Sequence, residues 1–230
     1  MCDHRFDRRL YTVAGAARYV GMPPSTLQAW ARGYERRPVV KQGPVITSLG
    51  KPDGDRRTIP FIGLVEAAVV QAFRRTGLSL QRIRRALEVL ADQGELQHAL
   101  ASRKLFSDGA NVLYDYAASE NDRQLRLLTV VSSGQRVFHE VIRQYLTCIT
   151  FGDDWATELI LPVTERRLLR VVPDVAGGDP VFMHGGAPLS AVHSRIAGGE
   201  PMESVAADFE VPIDDIAESL HAIWPTARAA

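Results

Sequence analysis

Gly21-Met22-Pro23 is the feature that most constrains this fold. Glycine readily ends a helix in a left-handed residue and proline does not continue one, so the stretches on either side read as separate short helices. Upstream, Val13-Ala14-Gly15-Ala16-Ala17-Arg18-Tyr19-Val20 places apolar residues at helical spacing, with Thr12 positioned to cap the first turn through its hydroxyl. Downstream, the pattern predicts a second helix from Pro24 through about Arg32, opened by a proline whose missing N–H costs little in a first turn. Leu27 and Trp30, three apart, share one face and read as core, as does Phe61. Two short helices about a tight turn are the layout of a helix-turn-helix.

The charge distribution gives this layout a purpose. The net charge is zero, yet residues 1–90 hold 16 Lys and Arg against 7 Asp and Glu, while the remaining 140 hold 11 against 20. A basic module suits a polyanion, because each cation near a phosphate releases condensed counterions. The acidic remainder would be repelled by the same DNA, which implies separate jobs for the two parts.

From Val39 to Ile59 the chain reads as extended segments, Val39-Val40 and Val45-Ile46-Thr47-Ser48-Leu49, around a turn at Pro52-Asp53-Gly54-Asp55. A small hairpin there would form a wing. Pro60 opens a helical run that ends at Thr76-Gly77, and Ser79 caps another over Leu80 to Leu90, whose outward Arg82, Arg84 and Arg85 keep the region basic. Beyond it, Asn111-Val112-Leu113-Tyr114 and Leu125 to Val131 read as strands, the second turned back by Ser132-Ser133-Gly134-Gln135. A helix is expected over Val137 to Cys148, and extended chain at Leu159-Ile160-Leu161 and Leu168 to Val172. Three helices follow: Pro188 to Ala197, stopped by Gly198-Gly199; Met202 to Phe209; and Ile213 to Trp224.

The expected fold is therefore α+β and mainly helical. It comprises a winged helix-turn-helix over residues 1–90, a small central α/β unit with hairpin strands over 91–172, and a C-terminal three-helix, helix-turn-helix-like bundle over 173–230. Two resemblances sharpen this. Tyr11 to Arg32, Tyr34-Glu35-Arg36, the turn with Arg56-Arg57, and Gly77-Leu78-Ser79-Leu80-Gln81-Arg82-Ile83 resemble the MerR-type winged helix-turn-helix. That family's long coiled-coil helix and cysteine effector site have no counterpart here, and Gly63 stands where an acidic residue is usual. The segment from Gly178-Asp179-Pro180-Val181-Phe182 through Leu220 resembles a domain of unknown function carried by VapB-type antitoxins, with Gly185-Gly186-Ala187 in place of a Gly-Thr-Arg motif.

On the second helix Ser25, Thr26, Gln28 and Arg32 have the polarity or reach to contact double-stranded DNA. Gln pairs with adenine and Arg with guanine, and Ser or Thr reaches either bases or phosphates. The residues leave open which of the four reads a base. Arg36, Arg37, Lys41, Lys51, Arg56 and Arg57 would supply phosphate contacts, which position without specifying sequence. The C-terminal helix pair invites comparison with a second DNA reader, but Asp208, Glu210, Asp214, Asp215 and Glu218 surround its would-be reading surface. A basic or apolar protein partner fits that surface better.

Enzyme chemistry finds little support. His4, His98, His139, His184, His193 and His221 lack metal-binding spacing, and Cys2 and Cys148 stand far apart. Asp153-Asp154 and Asp214-Asp215 read as loop and helix-cap residues before metal ligands. No catalytic residue, metal or cofactor is expected. The chain shows neither a secretory h-region nor an apolar run of membrane-spanning length, so a cytoplasmic location is expected. The resemblances imply an antitoxin that binds its own operator and holds a nuclease-like toxin with its acidic end; a homodimer is expected because a single short helix contacts few base pairs, with the central strands as the candidate contact. An effector-sensing MerR-like regulator is the alternative, and a hydrolase built on the paired aspartates ranks last.

Overall fold

Proline sets the start of each C-terminal helix in the same way. Pro188, Pro201 and Pro212 are the N-caps of α-helices Leu189–Ala197, Met202–Phe209 and Ile213–Ile223. Their carbonyls accept the first helical N–H groups, from Val192, Val205 and Ile216 at 3.1–3.2 Å. The computed structural model describes residues 3–36, 40–50, 56–94, 98–107, 129–132, 135–138, 143 and 146–225. It is a mixed α+β fold with small antiparallel sheets, as expected from the sequence. Contacts divide the chain into two compact units, each assembled from separated stretches.

The first unit comprises Met1–Ala29, Ser48–Phe61 and Glu158–Ala230. In it Tyr11–Thr12 pairs antiparallel with Arg57–Ile59, Tyr11 opposite Ile59 and Thr12 opposite Arg57. Helix Val13–Tyr19 follows, capped by Thr12 Oγ1, which accepts from Gly15 N at 3.0 Å. Strand Leu169–Val171 lies between the end of Ala156–Ile160 and Val181–Phe182, all antiparallel. Leu159, Leu169, Val171, Val181 and Phe182 from these strands are buried, as are Leu189, Val192, Val205, Ile216 and Ile223 from the three C-terminal helices.

The second unit comprises Trp30–Thr47 and Ile62–Thr157. Its core element is the helix Phe61–Arg75, where Ile62, Leu64, Val65, Ala67, Ala68, Val69, Val70, Ala72 and Phe73 are all buried. A helix apolar on every side belongs in an interior. The helix Leu80–Gly94 is one-sided by contrast, burying Ile83 and Ala86. Arg84 on it does not point outward as the sequence implied: it is half-buried and donates to the Gly43 carbonyl. The hairpin Thr129–Ser132 with Gln135–Phe138 forms where expected. Val137 and Phe138 belong to its second strand, not to the start of the helix predicted from Val137, because β-branched and aromatic residues satisfy strand periodicity equally well. Helical residues recur at Arg143 and Leu146, while the strand expected at Asn111–Tyr114 lies outside the described residues.

One buried carboxylate organises this unit. Glu66, 4% exposed, accepts from the Thr47 N–H and lies 3.0 Å from His98 Nδ1, which is itself 2.8 Å from Thr47 Oγ1. The hydrogen bond to Glu66 raises the His98 pKa above its ordinary value near 6.5, against the opposing effect of burial. A raised folded-state pKa means that this contribution to stability is complete below about 6.5 and is lost as pH climbs through the folded value. Urea midpoints measured across neutral pH should therefore decline for the native protein and decline less for His98→Gln. Parallel curves would refute the coupling.

Candidate nucleic-acid interface and acidic helices

The turn between the two N-terminal helices is a Schellman closure. Gly21 adopts φ +67° and donates to the Arg18 carbonyl at 3.1 Å, while Met22 donates to Ala17 at 2.9 Å. The helix Pro24–Arg32 follows, its first turn closing on the Pro23 carbonyl through the Thr26 and Leu27 N–H groups. Leu27 is fully buried and Trp30 is 3% exposed, so this helix is fastened by its apolar face. Of the four candidate readers, Ser25 and Arg32 are exposed, and Thr26 and Gln28 are half-buried. Gln28 and Arg32, four residues apart, lie on one side of the helix.

The described hairpin lies earlier in the chain than the one expected around residues 52–55. The hairpin pairs Tyr34–Arg36 with Val40–Gln42, Glu35 opposite Lys41 and Arg36 opposite Val40, directly after the second helix. Val45–Leu49 forms no strand. Arg57–Ile59 pairs instead with Tyr11–Thr12, because Thr58 and Ile59 are buried and their strand needs a partner inside the core. Arg36 and Lys41 thus lie on the hairpin, whereas Arg56 and Arg57 are exposed at the sheet beside the first helix. Arg37 and Lys51 lie outside the described residues.

The acidic C-terminal residues separate into distinct environments. Asp208 is exposed and pairs with Arg195 at 2.7 Å, and Arg195 also grips Glu200 and lies over the Phe209 ring. The Arg195 hydrogen bond holds Glu200 below the usual carboxylate range. Glu210 ends its helix in a left-handed conformation, φ +53°, and is exposed, as is Asp214 in the first turn of the next helix. Asp215 is buried: its carboxylate meets His184 Nδ1 at 2.9 Å and Arg166 at 2.8 Å, and Arg166 reaches Glu218 at 2.7 Å. Asp215 and Glu218 are brought together, while Asp208 joins Arg195. Sequence reasoning missed Arg166 and His184, which lie in turns distant in the chain from Asp215.

Residues 9–87 match a family described as "Putative DNA-binding HTH domain". The Mycobacterium tuberculosis protein named "Putative antitoxin VapB45" is 41% identical over 229 residues, covering 95% of each chain. An uncharacterised protein of the same organism, Rv2308, is 24% identical over 229 residues, covering 93% of this chain and 90% of its own. The crystal structure of Rv2018, also from M. tuberculosis, superposes with a TM-score of 0.81 at 37% identity, covering 94% of this chain and 99% of that one.

Proposed function

We propose that this chain, which belongs to the family of the M. tuberculosis protein named "Putative antitoxin VapB45", is a DNA-binding antitoxin that represses its own operon and neutralises a nuclease-like toxin by direct binding. The observation that carries the DNA-binding half is the Pro24–Arg32 helix, fastened by buried Leu27 and Trp30 with Ser25 and Arg32 left exposed. A helix held this way can enter a major groove without unfolding its own core. The Tyr34–Gln42 hairpin, which we read as a MerR-like wing, would lay Arg36 and Lys41 along flanking phosphates. Homodimerisation would double a contact that is short for a single helix, since two half-sites multiply affinity.

The toxin-neutralising half rests on the family and on the acidic C-terminal helices, where Glu210 and Asp214 are exposed beside Ile213, itself 39% exposed. No catalytic residue is assigned, and the protein acts in the cytoplasm without a cofactor. Among the described residues, no helix is long and apolar enough to cross a membrane.

Gel-shift titration on the duplex upstream of the protein's own gene tests the DNA reading. Affinity should fall steeply with salt, and Arg56→Ala with Arg57→Ala should flatten the slope of log K against log salt by roughly 2, since each phosphate contact contributes about 0.9. An unchanged slope would remove both arginines from the interface. Co-purification with the toxin made from a neighbouring gene tests the second half. No complex at micromolar concentration would sink the antitoxin reading while leaving the DNA reading standing.

A further inference from the structure

The helix Pro24–Arg32 ends on carbonyls that its own backbone cannot satisfy, because the last four C=O groups of an α-helix have no partner within it. One of these, on Trp30, accepts the Val45 N–H at 2.8 Å and the Ile46 N–H at 3.4 Å. Val45 and Ile46 are buried, as is Trp30. The next residue, Thr47, anchors this segment. Its N–H donates to Glu66 Oε2 on the core helix Phe61–Arg75, and its Oγ1 lies 2.8 Å from His98 Nδ1. His98 Nδ1 is also 3.0 Å from Glu66 Oε1, so one imidazole nitrogen touches both partners and both carboxylate oxygens are engaged. An ionised carboxylate only accepts, so Nδ1 carries the proton it shares with Glu66. Trp30–Thr47, Glu66 and His98 all belong to one compact unit.

His98 is itself held from the other side. Its backbone is left-handed, φ +59°, a conformation that a non-glycine residue keeps only where its surroundings fix it. The turn it opens, Ala99–Ala101, is buried throughout, and Trp155 meets the imidazole edge-on with 6.2 Å between ring centroids. We infer that Glu66 and His98 are positioning residues for DNA binding: they clamp Thr47, and through Val45 and Ile46 the clamp sets the end of the helix Pro24–Arg32. The inference rests on the DNA-binding reading above and extends it, since His98 and Trp155 lie outside the 9–87 stretch that the family match describes. The physical argument is one of precision. A recognition site works when its side chains are held to within about 0.5 Å, and a helix of nine residues is too short to hold its own orientation. Apolar burial is non-directional, so the packing of Leu27 and Trp30 fastens the helix without aiming it. Hydrogen bonds are directional, and those on the Trp30 carbonyl fix the helix end. Exposed Arg32, two residues beyond Trp30, moves with that end.

The test compares the full-length native protein with His98→Ala, His98→Asn and Thr47→Val, by amide hydrogen exchange and by gel shifts on the upstream duplex and on a scrambled duplex of equal length. Each variant is measured where circular dichroism shows it folded. His98→Ala should speed exchange at Val45, Ile46 and Thr47 and weaken binding to the upstream duplex about tenfold, the scale of one charge-assisted hydrogen bond. Binding to the scrambled duplex should hold, because phosphate contacts carry no sequence information. Asparagine offers an amide nitrogen close to the place of Nδ1 and tolerates a left-handed backbone, so His98→Asn should restore most of the preference. Thr47→Val keeps the N–H bonded to Glu66 and loses only the hydroxyl, so it should show the same pattern more weakly and decides the matter if His98→Ala does not fold. Folded His98→Ala or Thr47→Val with the full native preference for the upstream duplex would overturn the inference, however far stability falls, as would equal losses on both duplexes. Native protein without that preference would sink the DNA-binding reading itself and the clamp's role with it, a result visible before any variant is made.

Discussion

Gly185→Ala is expected to destabilise the protein by about 3 kcal/mol, lowering its urea midpoint without changing the slope. Gly185 sits at φ +73°, and a Cβ built there falls 2.4 Å from the Phe209 carbonyl oxygen, 2.9 Å from that of Glu210 and 3.0 Å from Val211 Cγ2. Two of these three neighbours are backbone, so no rotamer change relieves the clash. The turn between the last two helices must retreat, and with it the reach from His184 to Asp215. Gly186→Ala supplies the internal comparison. Gly186 has nearly the same backbone, φ +68°, but nothing within 4 Å, so its alanine should cost only the left-handed penalty of about 1–2 kcal/mol. Equal losses at the two positions would show that close approach at Gly185 does not govern the fold.

The contrast between these glycines illustrates what the sequence carried and what it did not. Local punctuation was legible: the helix boundaries Pro24–Arg32 and Met202–Phe209 are read from Pro24, the Gly198-Gly199 stop and helical apolar spacing, and both are observed. Thr12 was legible as a cap because its hydroxyl needs only a neighbour three residues on. Pairing between distant segments was not. Asp53-Gly54 is a strong turn signal, yet Arg57–Ile59 bonds to Tyr11–Thr12, about 45 residues upstream, and nothing in the strand itself names its partner. Asp215 shows the same limit at the candidate site. Beside Asp214 it reads as another first-turn acid, but helical rotation carries it inward with Ile216 and Ser219, where Arg166 pairs with it and His184 Nδ1 lies 2.9 Å from its carboxylate. Solvation of one aspartate and burial of its neighbour go with the turns that bring Arg166 and His184 to the helix.

Leu27→Ala should cost about 3 kcal/mol of stability, within the range for fully buried leucines whose cavity relaxes only in part. The side chain is 0% exposed, and it lies on the helix that presents the candidate readers. Gln28, its neighbour, is half-buried and polar, so Gln28→Ala should lower the urea midpoint far less than Leu27→Ala. If Gln28 reads a base, that variant should instead lose about 1–3 kcal/mol of binding to the upstream duplex and discriminate less among sequence variants at one position. The two substitutions thus act on adjacent residues with opposite signatures. Gel shifts under conditions where Leu27→Ala is still folded should show modest weakening, because the removed methyl groups face the core and not the groove. Severe loss of binding by folded Leu27→Ala would mean that Leu27 packing sets the orientation of this helix. Loss of stability in Gln28→Ala without loss of binding would assign Gln28 to the core and leave Ser25, Thr26 and Arg32 as the remaining readers.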